Sequence, residues 1–312
     1  MSKTKIKDIV LNPDAKREYL SPGNATCQGC GLDLALRWAM KALGPKTATV
    51  SPASCSNVVT GLWPKSAPKW PWFNMAFAGS AAAASGMKHG LIAKGKGDYT
   101  VVVWAGDGGT ADIGIQGLSG AAERNEDIIY VMYDNESYMN TGIQASSSAP
   151  RGTVTTTTPY GKEQKKKNIP MIVAAHNVPY VATCSVSDPM DLYDKFKKAK
   201  DIKGFRFIQI LAPCPPGWRH EPQYTILQSQ LAVDTGIFPL FEIENGILTL
   251  SGKSKRLHDP TKRKPIQEYY SKKNQGRFKL INDGLLEELD KDVKEWWSWI
   301  DRHLVYQEHL EL

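Results

Sequence analysis

The sequence predicts an α/β protein built on a doubly wound, mainly parallel β-sheet, with a small C-terminal hairpin and helix extension. Three observations carry that prediction. "YTVVVWAG" (Tyr99–Gly106) and "DIIYVMYD" (Asp127–Asp134) are unbroken apolar runs of strand length, the pattern of strands buried on both faces. Segments of helical period alternate with the apolar runs, which is how parallel strands are connected. Both runs end in turns rich in Gly, Asp and Asn, where sheets of this class bind ligands.

Taken in order, Leu32 to Leu43 has the period of an amphipathic helix and is stopped by Gly44-Pro45. "TATVS" (Thr47–Ser51) is a short strand, and the Ala- and Gly-rich "MAFAGSAAAASGMKHGLIAKG" is a helix packed closely on a neighbour. After the Tyr99–Gly106 strand, Asp112 to Arg124 is a helix leading to the Asp127–Asp134 strand. The next thirty-odd residues, rich in Ser, Thr, Gly and Pro, form a loop. Loops of that length in compact domains are functional or disordered. "MIVAAHNV", "YVATCSV", "DPMDLYDKFKKAK" and "GFRFIQILAP" resume the alternation, and "LFEIENGILTL" is a hairpin turning at Asn245-Gly246. Leu285 to Leu304 is a last amphipathic helix. The expected division is 1–240 for the main domain and 241–312 for a segment of subunit contact.

Composition bounds the class. The chain has 312 residues, 41% hydrophobic and 23% charged, enough to bury a sizeable core. With no apolar leader and no membrane-length apolar run, a cytoplasmic protein is expected, and its cysteines are then ligands or catalysts rather than disulfides. Net charge is +7, but ten Lys/Arg against two acids between Lys253 and Lys279 account for an excess of +8. With little aromatic interleaving beyond Tyr269 and Tyr270, that run reads as a solvated or subunit-contact surface rather than a nucleic-acid site.

"WAGDGGTADIG" lies between a buried strand and a helix, and its glycines let the backbone approach a phosphate. It is neither a Walker A loop nor a GxGxxG fingerprint. Asp107 would repel a pyrophosphate unless a magnesium ion lay between them. Thirty residues inclusive separate Gly106 from Asn135 in "YDNESYMNTG"; Asn135 offers a neutral oxygen at the next strand's end, and the Ser137 carbonyl a third. This pair of segments resembles the magnesium–diphosphate motif of thiamine-diphosphate enzymes.

The chain has five cysteines. Cys27-x-x-Cys30, Cys55 and Cys214 lie at element ends or in loops, where side chains can converge; Cys184 lies in an apolar run and reads as core. Four thiolates bind zinc or a cubane iron–sulfur cluster, and spacing alone does not separate the two. A neighbouring thiamine site does, because oxidative decarboxylation needs an electron acceptor.

Across "CQGCG", "GDGGTADIGIQGLSGAAERN", "YDNESYMNTGIQ", "IVAAHNVPYVAT", "ILAPCPPGW" and "FEIENG", nearly the whole chain resembles the β (thiamine-diphosphate-binding) subunit of the 2-oxoacid:ferredoxin oxidoreductases, most of all the pyruvate type. The resemblance implies a thiamine-diphosphate-binding sheet and a [4Fe–4S] cluster on Cys27, Cys30, Cys55 and Cys214. It implies Mg2+ on Asp107, Asn135 and the Ser137 carbonyl. Gly106, Gly108 and Gly109 would line the cofactor, with Asn140 and Thr141 there and at the reacting centre. The implied reaction is oxidation of pyruvate with coenzyme A to acetyl-CoA and carbon dioxide, electrons passing through clusters to ferredoxin. "SCSNV" around Cys55 and "FAGSAAAASG" depart from the pyruvate pattern, so an oxalate-oxidising relative, needing no coenzyme A, is the alternative. The expected partners are a pyrimidine-side subunit and a ferredoxin-like subunit, because the chain shows only the diphosphate-side motif and lacks a repeated cluster-binding run. Neither a nucleic acid nor a membrane span is expected. A zinc-bearing nucleic-acid module is the rival class and leaves the paired motifs unexplained; a second rival, a nicotinamide-dependent dehydrogenase, would need retained nicotinamide cofactor instead of thiamine diphosphate.

Further candidates have plain structural readings beside them. His176 and His220 are possible bases, and Thr155–Thr158 could reach substrate, but each also reads as an ordinary structural residue. Trp70, Trp72, Trp296, Trp297 and Trp299 are candidates for subunit contact, balanced by burial within the chain.

Overall fold

The protein was analysed as a computed structural model that describes residues 5, 7, 9, 17–62, 64–271 and 273–304. Its centre is an eight-stranded sheet of order β2-β1-β3-β4-β6-β5-β7-β8. The strands are β1 (Thr47–Pro52), β2 (Trp72–Met75), β3 (Thr100–Gly106), β4 (Ile129–Asp134), β5 (Tyr180–Ser185), β6 (Arg206–Leu211), β7 (Phe241–Glu244) and β8 (Ile247–Leu250). The first six run parallel, while β7 and β8 form an antiparallel edge.

Alternation along β3 shows why its sequence is apolar throughout. Val101, Val103 and Ala105 pack on one face with Tyr130, Met132, Val181 and Phe207. Val102 and Trp104 pack on the other with Ile129, Val131, Ile208 and Ile210. Helices cover both faces there, so no position of β3 faces water, and each large side chain buried there contributes about 1.5–3 kcal/mol. Helices α1 (Gly31–Leu43) and α7 (Pro189–Asp201) supply Leu36, Met40, Leu192 and Phe196 to the second face. On the first face lie α3 (Ser80–Ala93), α5 (Ile115–Glu123) and α6 (Ile169–Ala174). There Ala81, Ala84, Ala121 and Ala122 are buried, the small residues letting these helices approach closely.

Local chemistry sets the boundaries. Gly44 stops α1 at φ +76°. Asp188 caps α7, accepting from Asp191 N, with Pro189 at the first helical position. Asn245 and Gly246, both at positive φ (49° and 84°), turn the β7–β8 hairpin. The expected helix over Asp112–Arg124 is α5, which starts only at Ile115 because the backbone leaves helical geometry at Asp112 (φ −115°, ψ −92°); a short helix not expected from the sequence, α4 (Asp107–Ala111), precedes it.

The extension packs onto the first face. The last helix (Asp283–His303) and the preceding loop bury Tyr269, Tyr270, Phe278, Leu289, Trp297 and Ile300 in the same cluster as Phe207 and Phe241. Trp70 and Trp297 are buried within the chain, and Trp72, Trp296 and Trp299 are half-buried. Trp297 donates to Gly236 O at 2.8 Å and lies under the Arg263 guanidinium, 3.9 Å away. The basic run is thus partly interior, with Arg277 1% exposed.

Candidate active site

Sequential strands part company between β1 and β3: the chain moves outward from β1 to β2, then crosses to β3 and β4 on the other side. A crevice opens at the carboxyl ends of strands at such a point. Here it is a cleft of about 80 Å³ lined after β1 by Ala53, Ser54 and Cys55, after β3 by Gly106–Gly109, and after β4 by Asn135 and Ser137–Thr141. All eight residues assigned above to the cofactor line it: Gly106, Asp107, Gly108, Gly109, Asn135, Ser137, Asn140 and Thr141.

Asp107 opens α4 and is fully buried. Ser146 Oγ, from the long loop, donates to its Oδ2, leaving Oδ1 to face Asn135. The Asn135 amide meets Asp107 Oδ1 at 2.8 Å and the Ser137 carbonyl at 2.9 Å. With its nitrogen turned that way it donates to both oxygens, and the three groups are held together without a cation; with the amide turned over, its oxygen joins theirs as a third donor for one. Adjacent oxygens around a six-coordinate Mg2+ with arms of 2.0–2.1 Å lie about 2.9 Å apart. The donor set therefore fits magnesium. Burial, and next the charge of Asp134, push the Asp107 carboxyl well above its usual range, which is the deficit a divalent cation would fill.

Glycine is required at position 108, where a Cβ would enter the Tyr138 ring. Tyr138 OH donates to Gly108 O at 3.1 Å, so the ring closes one wall. Asn140 and Thr141 are exposed at the rim, and Thr141 Oγ1 donates to Gln144 Oε1 at 2.6 Å.

The cysteines approach from the adjoining side, and all five are free thiols. Cys30 caps α1, Cys55 opens α2 (Cys55–Thr60), and Cys214 precedes the short α8 (Pro215–Trp218). The Cys27–Cys30 turn is docked on the Cys214 side: Gly31 N donates to Pro213 O at 3.1 Å, and Thr225 Oγ1 to Gly29 O at 2.6 Å. Gly29 sits at φ +69°, its missing Cβ directed at the Pro222 carbonyl. Cys30, Cys55 and Cys214 each feel the charge of Cys27, and Cys55 feels Asp107 as well. Burial pushes the Cys55 and Cys214 thiols up to about 12. The backbone N–H groups of Asp33 and Leu32 near Cys30, Asn140 near Cys55 and Gly217 near Cys214 oppose that rise. Amide groups near sulfur suit thiolates that a metal centre neutralises. The four thiols are neighbours, but among the described residues no three His, Cys, Asp or Glu side chains are gathered to metal-binding distance. Cys184, fully buried in β5, lies apart beside Lys195 and Asp191.

The other candidates lie off the cleft. His176 Nε2 meets Ser119 Oγ at 2.8 Å, and His220 Nδ1 the Glu221 carbonyl at 2.9 Å. The threonines brace their own loop: Thr155 and Thr158 hydroxyls pair at 2.8 Å and Thr156 donates to Gly142 O at 2.9 Å.

Sequence reasoning missed a buried polar layer behind the cleft. Ser148 Oγ donates to Asp134 Oδ1 at 2.8 Å, and Lys166 bridges Asp134 and Glu136 at 2.6 and 2.7 Å. Burial alone would raise the Glu136 carboxyl, but Lys166 and Arg277 outweigh it and hold it low. A larger cavity of about 420 Å³, among whose walls are Phe238, Trp296 and Trp299, lies against Glu136 and Lys166. It shares none of the predicted site residues.

Comparison with known proteins identifies the family of the fold. A family model described as "Thiamine pyrophosphate enzyme, C-terminal TPP binding domain" matches residues 54–210. Pyruvate synthase subunit PorB of Methanothermobacter marburgensis is 47% identical, over 86% of this chain and 92% of its own. Ketoisovalerate oxidoreductase subunit VorB of Pyrococcus horikoshii is 49% identical, over 90% and 92%. In fold, the chain is similar to a solved 2-oxoglutarate:ferredoxin oxidoreductase from Magnetococcus marinus, with a TM-score of 0.56 at 24% identity, covering 74% of this chain and 81% of that one. The chain belongs to the thiamine-diphosphate enzymes, and within them to the β subunits of the 2-oxoacid:ferredoxin oxidoreductases.

Proposed function

We propose that this subunit holds thiamine diphosphate through one Mg2+ and carries a [4Fe–4S] cluster, within a complex that oxidatively decarboxylates a short 2-oxoacid. The observation that carries the reading is the meeting of Asp107 Oδ1, the Asn135 amide and the Ser137 carbonyl at 2.8–2.9 Å in the cleft. Asp107, Asn135 and Ser137 hold the metal; Gly106, Gly108 and Gly109 let the diphosphate approach the backbone. Asn140 and Thr141 face the open rim where substrate enters. Cys27, Cys30, Cys55 and Cys214 hold the cluster. Thiamine diphosphate supplies the electron sink that decarboxylation needs, and the cluster a one-electron acceptor. The contribution of the chain is placement: Cys55, of the proposed cluster site, lines the same cleft as Asp107 and Asn140, which supports two adjoining sites.

Pyruvate, with coenzyme A as acyl acceptor and ferredoxin as electron acceptor, is the proposed substrate. The relative named for ketoisovalerate supports a branched 2-oxoacid as the second reading. A pyrimidine-side subunit and a ferredoxin-like subunit complete the machine. Segment 241–312, with Lys255, Arg256, Lys262, Lys273 and Lys279 exposed, is proposed to contact them. The test is viologen reduction by the purified complex and by this chain alone. Substrates are pyruvate, 3-methyl-2-oxobutanoate, 2-oxoglutarate and oxalate, with and without coenzyme A. Coenzyme A-dependent turnover of pyruvate by the complex, and none by the isolated chain, is expected. Turnover by the chain alone would overturn the shared active site, and activity on oxalate without coenzyme A would replace the substrate.

A further inference from the structure

We propose that Arg277 is a positioning residue for both cofactor sites, clamping the Asn135–Ser137 loop and the Cys214 loop to one another. The inference rests on the functional reading above and concerns what holds those two loops in register.

Arg277 comes from the basic segment, yet it is 1% exposed, a costly place for a guanidinium without compensating partners. On one side its Nη1 forms an ion pair with Glu136 Oε2 at 2.7 Å, while Nη2 donates to Tyr269 OH at 2.9 Å and Nε to Gln275 Oε1 at 2.8 Å. Glu136 lies between the proposed metal ligands Asn135 and Ser137 and holds a left-handed backbone, φ +65°. For a glutamate that conformation is unfavourable, and the surroundings must enforce it. Lys166 draws the same carboxylate from another direction, at 2.7 Å. The two cations fix Glu136, and the reversed backbone then turns the Asn135 amide and the Ser137 carbonyl toward Asp107.

On its other side the guanidinium carbon lies 3.7 Å from the centre of the Trp218 ring. Trp218 is fully buried; its backbone N–H donates to Cys214 O and its indole N–H to Asn135 O, each at 2.8 Å. Its stacked indole therefore joins the Cys214 loop to the residue proposed to bind the metal. One planar cation touches both halves of the site, through its charge on Glu136 and through its face on Trp218.

The two contacts separate experimentally. In the full complex, prepared without oxygen, three variants are compared with wild type. The readouts are the Mg2+ concentration that half-saturates thiamine-diphosphate binding in calorimetry, the electron paramagnetic resonance spectrum and iron content of the cluster, and the thermal midpoint. Arg277→Met removes both contacts. It should raise the Mg2+ requirement about 10–100-fold, as loss of an outer-shell partner does, and alter the cluster spectrum. Arg277→Lys keeps the charge but not the planar face, so the spectrum should change while the Mg2+ requirement stays near wild type. Glu136→Gln removes the charge contact, that with Lys166 as well as that with Arg277, leaves the Trp218 stack, and should do the reverse. Should Arg277→Met fail to fold, the opposed pattern of the other two variants decides. Asp107→Ala is the control for the reading beneath: if it retains the cofactor, that reading fails. If Asp107→Ala loses the cofactor while folded Arg277→Lys and Glu136→Gln both match wild type, the clamp is wrong.

Discussion

Replacing Asp107 with alanine abolishes magnesium-dependent binding of thiamine diphosphate on this account. The carboxylate is the only charged member of the proposed donor set, and it is fully buried. Removing one partner of a buried charge pair costs about 3–5 kcal/mol, equivalent to about 100- to 5,000-fold in affinity. Asn135→Ala removes a neutral ligand and should weaken binding about tenfold, on the order of 1–2 kcal/mol. The backbone carbonyl that accepts from Trp218 is retained in that variant. Titration calorimetry of each variant at fixed Mg2+ measures both. Equal losses, or wild-type affinity in Asp107→Ala, would sink the assignment.

Cys214→Ala should strip the cluster, and Cys184→Ala should spare it. Cys214 feels the charge of all three other proposed ligands and receives the Gly217 N–H. Cys184 is a fully buried β5 residue surrounded by Lys195, Asp191 and Glu242. Its loss leaves a small void, costing about 1–2 kcal/mol of stability with iron content unchanged. Iron and sulfide analysis of anaerobically purified protein, with the visible absorption spectrum, reads the outcome. Retention of the cluster by Cys214→Ala together with its loss in Cys184→Ala would reverse the ligand assignment.

The parallel strands were legible because β3, β4 and β6 face helices on both sides, so apolar residues dominate both faces and period disappears from the run. The hairpin was legible through Asn245-Gly246, whose positive φ values few other residue pairs accept. Strand β2 left no such mark: four residues long, with Phe73 and Asn74 exposed, it is recognised only by its pairing with β1. The short α4 was hidden because its Gly108 and Gly109 read as a turn, and α5 begins at Ile115 rather than at the expected Asp112. At the site, Asp107 and Asn135 were legible from their interval, and the cleft gathers them with the glycines. The supporting layer was not. Lys166 stands in a run of three lysines and Arg277 in a broader basic stretch, and average charge reads both as surface. Only the tertiary meeting of Asp134 and Glu136 with these cations makes them interior. The tryptophans divide for the same reason: Trp297 gains a buried acceptor at Gly236, while Trp296 and Trp299 stack on one another at 5.0 Å and stay half-exposed.

Soaking or co-crystallising the complex with thiamine diphosphate and Mn2+, then recording anomalous diffraction at the manganese edge, locates the cation without assumption. A single manganese peak is predicted in the cleft at the ends of β3 and β4, about 2.0–2.3 Å from Asp107 Oδ1, Asn135 Oδ1 and the Ser137 carbonyl, with the diphosphate completing its shell. A diphosphate seated there with no manganese beside Asp107, or manganese bound on other residues, would contradict the account.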